Sequence, residues 1–135
     1  MKSIYLNTDV DIDSSEDLTA LIDFLDGRTN LLYGDKVENG KWHISLEAID
    51  SCIADDPLRS PNIHINELIE VLREGKLRFP KEFKSVSKFD FNVGWQSAAE
   101  RPEGAFTLES ELLFAISELG ASLTVTIYPS NDNDF

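Results

Sequence analysis

Hydrophobic and polar residues alternate over the first stretch of the chain. Between Ser3 and Asp13 the even positions hold Ile4, Leu6, Val10 and Ile12, and the odd positions hold Tyr5, Asn7, Asp9, Asp11 and Asp13. Because successive side chains of a strand point to opposite faces, this pattern predicts a strand with one buried and one polar face. Similar alternation recurs over Lys41 to Ala48, Val86 to Gln96 and Leu123 to Ile127. Each of these three segments is therefore predicted to be a strand as well.

A short apolar segment, Leu31 to Tyr33, precedes the second of these strands. The two are separated by the turn-forming pair Asn39-Gly40, so we expect them to pair as a hairpin.

Apolar residues with helical spacing lie between the strands. They recur at i, i+3, i+4 and i+7 over Leu18 to Leu25, Ile65 to Leu72 and Leu108 to Leu119. Gly27, Gly75 and Gly120 follow these three segments. Glycine favours the end of a helix, so three helices are predicted.

Two polar residues are predicted to cap helices. Ser14, with Asp17 three positions later, resembles a capping box for the first helix, and Thr107 is placed to cap the last one. The sequence Phe79-Pro80-Lys81 is expected to break the chain before the aromatic strand.

The predicted order of elements is β-α-β-β-α-β-α-β. This order favours an α+β fold, with a mixed, mostly antiparallel sheet and three helices packed on one face. We expect a single domain over residues 1–129 and a polar tail over 130–135, while the strand order stays open. The second sheet face would then be polar and open, displaying Tyr5, Asn7, Asp9, Asp11, His43, Ser45, Glu47, Lys88, Asp90, Asn92, Thr124, Thr126 and Tyr128.

Charge is unevenly distributed along the chain. The net charge is −13, and the first 56 residues carry 13 Asp/Glu against 4 Lys/Arg. Such an electrostatic field attracts basic partners and repels nucleic acid and anionic membranes. The alternative is that the negative charge only keeps the protein soluble. Neither a secretory leader nor a membrane span is evident, and there is a single cysteine, which favours a cytoplasmic location.

Candidate catalytic and metal-binding patterns are weak. Asp9, Asp11 and Asp13 resemble the start of a calcium loop, but the sixth position of that loop is serine rather than glycine. His43, Ser45 and Glu47 have the residue types of a hydrolytic triad, yet neighbours on one strand face stand about 7 Å apart. We therefore predict no enzyme activity, no cofactor and no metal site. His64 is expected at the surface or at a helix cap, and Cys52 is expected to be a small buried apolar residue.

A resemblance to a known family is carried by Ile4 to Leu25, Phe91 to Trp95 with the loop after it, Phe106 to Leu113, Glu118 to Ala121 and Leu123 to Tyr128. These segments cover somewhat less than half of the chain. They resemble a bacterial domain-of-unknown-function family of small acidic α/β proteins. Members of that family are often encoded beside polymorphic or contact-dependent toxins.

The resemblance implies an immunity protein that neutralises a cognate toxin domain, which could be a nuclease. We expect the toxin to be basic and to be occluded by an acidic surface with one or two aromatic anchors. The candidate contact residues are Asp9, Asp11, Asp13, Glu16, Asp55, Asp56, Tyr5, Tyr33 and Tyr128. The oligomeric state stays open. The alternative is a non-catalytic ligand-binding or regulatory domain with a pocket lined by Phe89, Phe91, Trp95 and Phe114.

Overall fold

A computed structural model describes residues 4–49, 60–97 and 106–129 of the chain. Five strands form one sheet, in the order β2-β3-β1-β4-β5. The strands are β1 (Ile4–Ser14), β2 (Asn30–Lys36), β3 (Trp42–Glu47), β4 (Val86–Gln96) and β5 (Ser122–Tyr128). The helices are α1 (Thr19–Leu25), α2 (Pro61–Arg78), α3 (Pro80–Lys84) and α4 (Ser110–Leu119).

The first strand of the chain lies at the centre of the sheet. β1 pairs antiparallel with β3 on one side and with β4 on the other. β2 pairs antiparallel with β3, and β5 runs parallel to β4. The predicted α+β class and the mixed, mostly antiparallel sheet are therefore confirmed, and the strand order that the sequence left open is decided.

One hydrophobic core lies between the helices and the sheet. α1, α2 and α4 bury their apolar faces against the alternate residues of β1, β3 and β4. Its fully buried large side chains include Val10, Ile12, Leu18, Leu21, Leu25, Ile44, Leu46, Ile65, Leu68, Ile69, Leu72 and Phe91. The other face of the sheet carries no helix in the described part of the chain, so its polar side chains reach solvent.

The predicted helix caps are wrong in two places. Ser14 is the last residue of β1, where it is buried and contacts Ser85, so it does not cap α1. Asp17 instead accepts hydrogen bonds from the hydroxyl and the N–H of Thr19, and these bonds lower the pKa of Asp17. Thr107 lies before α4, and its carbonyl accepts a hydrogen bond from Asn62.

The middle helices also differ from their prediction. α2 begins earlier than expected, because Ser60 accepts a hydrogen bond from the Ile63 N–H and Pro61 occupies the first helical position. At the predicted break, Phe79 to Lys81, α2 has ended and Pro80 begins the short helix α3.

Three irregularities interrupt the strand pairing. Between β1 and β4 the register shifts at Leu6 and again at Ser87, and between β2 and β3 it shifts at Leu32. A bulge adds one residue to one strand, so the alternation of inward and outward side chains reverses across it. Residues on either side of a bulge therefore occupy faces that uninterrupted alternation does not predict.

The final strand is only partly covered by α4. Leu123 is half-buried, as predicted, but Val125 and Ile127 are 44% and 64% exposed although they follow the same alternation. The predicted tail at 130–135, together with Cys52, Asp55 and Asp56, lies outside the described residues.

Candidate functional site: an acidic sheet face

Carboxylates concentrate on the side of the sheet that the described helices leave open. The pairing register places six of them there, and we call this group the acidic face. Its members are Asp9, Asp11, Asp13, Asp35, Glu47 and Asp90. Within the described strands, Lys88 and His43 are the only basic side chains on the same side. The surface is therefore strongly negative.

Two acids of the central strand each lie directly opposite another acid on a neighbouring strand. Asp9 of β1 is opposite Glu47 of β3, and Asp11 of β1 is opposite Asp90 of β4. Like charges in directly opposed positions destabilise a sheet. The fold thus retains an unfavourable arrangement on a face where neutral polar residues would be accommodated.

The pKa of Asp9 differs from that of an ordinary aspartate. The pKa of Asp9 is raised from its ordinary value of 3.8 to about 6, mainly because the group is partly buried. The negative charge of Glu47, a hydrogen bond with Glu47 and the charge of Asp11 raise this pKa further. The Asp9 carboxyl therefore keeps its proton to a higher pH than an ordinary aspartate does.

His43 lies between two of the acids. Its Nδ1 is in hydrogen-bond contact with Asp13 Oδ1, and its Nε2 is 3.8 Å from Asp11 Oδ1. The ring of Tyr33 packs beside it, with 5.6 Å between ring centroids. His43 is therefore bonded to Asp13 and lies beside Asp11.

Neutral donors orient other carboxylates of the face. The amide of Asn30 donates to Glu47 Oε1 at 2.7 Å, and the hydroxyl of Thr124 donates to Asp90 Oδ1 at 2.9 Å. These bonds position the oxygens without neutralising their charge. The face consequently remains able to receive cations from outside.

The predicted aromatic anchors divide into two groups. Tyr33 and Tyr128 lie on the open side of the sheet and are nearly half-exposed, at opposite ends of the strand order. Tyr5 does not lie there, because the bulge at Leu6 turns it toward the helices. Its hydroxyl contacts Thr8 Oγ1 and His64 Nδ1, each at 2.7 Å. The placement of Tyr5 on the polar face was thus wrong.

His64 is not the surface or capping residue that the sequence predicted. It is 2% exposed in α2 and contacts Tyr5 across the interface between helix and sheet. A buried polar group requires a hydrogen-bond partner, and the hydroxyl of Tyr5 is the partner of the His64 ring.

The predicted acids are only partly brought together. Asp9, Asp11 and Asp13 form the centre of the acidic face, whereas Glu16 lies beyond the end of β1 in the turn toward α1. Glu47 and Asp90 are central to the face but were absent from the predicted contact residues. The period-two pattern of their strands had correctly placed both on the open side, but it did not single them out as contact residues.

The acidic face has little of the geometry expected for catalysis. His43, Ser45 and Glu47 follow one another along one strand face, and His43 is bonded to Asp13 rather than to a nucleophile. Among residues 4–49, 60–97 and 106–129, no group of three or more His, Cys, Asp or Glu side chains is placed to hold a metal ion. In the same ranges, no helix has the length and apolarity needed to cross a membrane.

The predicted aromatic pocket does not form. Phe89 and Phe91 are buried in the core, Trp95 packs on Phe106 with ring centroids 4.8 Å apart, and Phe114 is 65% exposed. A groove of about 570 Å³ lies elsewhere, between the end of α2, α3 and the end of α4. It is lined by Arg73, Lys76, Leu77, Pro80, Phe83, Lys84, Glu118 and Leu119.

Comparisons with family models, with curated proteins and with solved structures yield no match for this chain.

Proposed function

We propose that this protein is an immunity protein, which binds a cognate bacterial toxin domain and neutralises it by occlusion with the acidic face. The proposal rests on the resemblance to toxin-associated proteins and on the concentration of carboxylates on one open surface. We further propose a cytoplasmic location, a basic toxin surface as the partner, and no catalytic role. Neither nucleic acid nor membrane is expected to bind, because the same field repels both.

The observation that carries the proposal is the pair of opposed like charges, Asp9 with Glu47 and Asp11 with Asp90. Carboxylates kept for solubility alone would be better placed apart, where they do not repel one another. A partner that supplies Lys or Arg between them converts this repulsion into attraction. Local arrangements that lower stability without a structural benefit are typical of binding sites.

The helix side of the molecule provides a contrast. There Arg73 faces Glu118 at 3.7 Å and Arg78 pairs with Glu74 at 2.8 Å, so charges are compensated within the protein. On the acidic face, six carboxylates meet only Lys88 and His43 within the described strands. The open side of the sheet is therefore the better candidate for a basic partner.

Two exposed tyrosines supplement the charges. Tyr33 and Tyr128 supply large side chains with polar tips at the two ends of the face. Interfaces commonly concentrate binding energy in such aromatic residues, while charges steer the encounter and set its rate. We expect association to be fast at low salt and to slow as salt is added.

The decisive experiment is co-expression with the C-terminal domain of the toxin encoded beside this gene. We expect the wild-type protein to protect cells and to bind the purified toxin domain. The test variant is the triple substitution Asp9→Asn, Asp11→Asn and Asp90→Asn. We expect it to lower the association rate at low salt by about tenfold or more.

The matched control removes three exposed carboxylates elsewhere, by Asp23→Asn, Glu38→Gln and Glu70→Gln. Both variants change the net charge from −13 to −10, because each loses three acids. If the control slows association as much as the test variant, overall charge rather than the acidic face drives binding. If wild-type cells still die and the purified pair does not bind, the immunity proposal is wrong.

The groove beside α3 favours a second candidate function, a ligand-binding or regulatory domain. Its volume is within the range of small-molecule sites, and it combines the apolar Leu77, Pro80 and Phe83 with Lys76 and Lys84 at its rim, where Arg73 faces Glu118. An anionic amphiphile such as a medium-chain fatty acid matches this chemistry. Binding measured by calorimetry, and lost on Phe83→Ala, would support this function; a lack of binding by wild-type protein would exclude this ligand class.

A further inference from the structure

The two edges of the sheet differ in how they are protected against pairing. The edge strand β2 contains a bulge at Leu32 and the charged residues Asp35 and Lys36. Bulges and charges are the devices that keep an exposed strand edge from adding another strand. The opposite edge strand, β5, has no charge, no proline and no register shift over its seven residues. Its outer edge pairs with no strand in the described part of the chain.

Apolar side chains are exposed along the same edge. Val125 and Ile127 protrude on the helix side of β5, where α4 does not cover them. Leu113 of α4 is 43% exposed. Glu118 of α4 points toward α2, because it pairs with Arg73 of that helix. Leu113 is rotated about 140° around the helix axis from Glu118. Leu113 is therefore on the β5 side of α4. An extended, uncharged edge next to exposed apolar groups is a typical site for strand addition.

The sequence of β5 is nearly symmetric about its middle residue. Reading outward from Val125, each direction meets a threonine, then a large aliphatic residue, then a polar or amphipathic one. If two copies paired antiparallel about Val125, Thr124 would oppose Thr126 on the open face. Leu123 would then oppose Ile127 on the helix face. Cross-strand threonine pairs and aliphatic pairs both stabilise sheets.

The charge distribution permits such a contact despite the net charge of −13. The acidic face is centred on β1 and β3, and Asp90 of β4 is its member closest to β5. Three strand spacings would separate Asp90 from its symmetry mate, or at least about 14 Å. This separation exceeds the screening length of about 8 Å at physiological salt.

From these observations we propose that β5 is a self-association surface. Two copies of this chain join edge to edge through antiparallel β5 strands, with the twofold axis at Val125, and form a continuous ten-stranded sheet. The contact is isologous, so it closes at a dimer. It leaves the carboxylates of the acidic face open and does not rest on the proposed immunity function, although Tyr128, one of the two candidate aromatic anchors, lies on the pairing strand.

The test is the molar mass of the full chain by analytical ultracentrifugation over a range of concentration and salt. We expect a monomer–dimer equilibrium that tightens as salt is added, because salt screens the repulsion between two acidic molecules. Binding of a basic toxin has the opposite salt dependence, so the two associations are distinguishable.

Matched lysine substitutions locate the contact. Val125→Lys would place two like charges opposite each other at the twofold axis and is expected to weaken the dimer by about tenfold or more. Leu32→Lys makes the same change in charge at the other edge, where Leu32 is also exposed, and is expected to leave the dimer intact. Circular dichroism of both variants verifies that they fold.

A cysteine cross-link tests the register. In a Cys52→Ser background, Val125→Cys is expected to form an intermolecular disulfide on mild oxidation, since opposed residues of antiparallel strands lie about 4.5–5.5 Å apart at Cα. Leu32→Cys serves as the control and is expected to cross-link far less. A chain that stays monomeric under all conditions, or a dimer that Val125→Lys leaves unchanged, would overturn the proposal.

Discussion

Replacing Asp9 by asparagine is expected to make the protein more stable at neutral pH. Asp9 faces Glu47 across the central strands and is partly buried, and both features raise its pKa to about 6. Above that pH the folded protein contains two adjacent negative charges that the unfolded chain keeps apart. Asparagine has nearly the same shape, retains hydrogen-bonding capacity and removes one of these charges.

The size of the effect follows from the change in pKa. The difference between 3.8 and about 6 corresponds to about 3 kcal/mol at most, at 1.36 kcal/mol per pH unit. Asp9 is partly exposed, so solvent screening reduces the contribution to stability. We expect about 1–2 kcal/mol for Asp9→Asn at pH 7.

The pH dependence has a defined sign. Between about pH 4 and pH 6 the folded protein retains a proton that the unfolded chain has released, so the free energy of unfolding falls as the pH rises through this window. In the Asp9→Asn variant the free energy of unfolding no longer falls over this window for this reason. The variant should therefore match the wild type near pH 4 and exceed it at pH 7.

Urea unfolding of both proteins at half-unit steps from pH 4 to pH 7.5 measures this difference. Asp23→Asn is the control, because Asp23 is exposed on α1 and its substitution also removes one acid. Glu47→Gln should give a smaller gain, because it removes the repulsion but not the burial of Asp9, and the double variant should gain less than the sum of the two. If Asp9→Asn lowers stability at pH 7, or if its gain does not depend on pH, the pKa of Asp9 is not raised by its place in the sheet.

Two further substitutions test how the sheet is assembled. A Cβ at Gly94 would lie 2.6 Å from Asn7 Oδ1, the end of a side chain that can turn away, so Gly94→Ala should cost no more than about 1 kcal/mol in urea unfolding, and adding Asn7→Ala should remove this cost. Tyr5→Phe removes the hydroxyl that contacts the buried His64 and should cost about 1–3 kcal/mol, whereas Tyr128→Phe at the surface should change little. Equal effects of the two tyrosine substitutions would contradict the placement of Tyr5.

The short-range patterns of the sequence identified most elements correctly. Val86 to Gln96 was predicted as a strand with the bounds that the structure gives it, because Phe89, Phe91, Val93 and Trp95 recur at every second position and serines flank the segment. The helix ends were predicted less well. Ser14 and Thr107 have suitable side chains for capping, but β1 continues to Ser14, and Thr107 is held outside α4 by its contact with Asn62. Tertiary contacts thus outweighed local preference at both positions.

The position of Tyr5 illustrates a limit of reasoning from periodicity. A strict period of two places Tyr5 with Asp9 and Asp11 on the polar face. Because of the extra residue at Leu6, the side chain of Tyr5 lies on the helix side of the sheet. There its hydroxyl forms a hydrogen bond with His64 of α2. A bulge depends on how two strands pair, and neither strand encodes that pairing alone.

The sequence by itself determined that an acidic strand begins the chain, that its acids share one face, and that helices cover the other. Only the tertiary structure decided that β1 is central and that Glu47 and Asp90 flank its acids. The reason is that alternation is a property of one strand and repeats every two residues. Register is instead set by bulges, turns and packing between segments far apart in the chain. The pKa of Asp9 is raised partly through that register, which brings Glu47 opposite Asp9 although 38 positions separate the two residues in sequence.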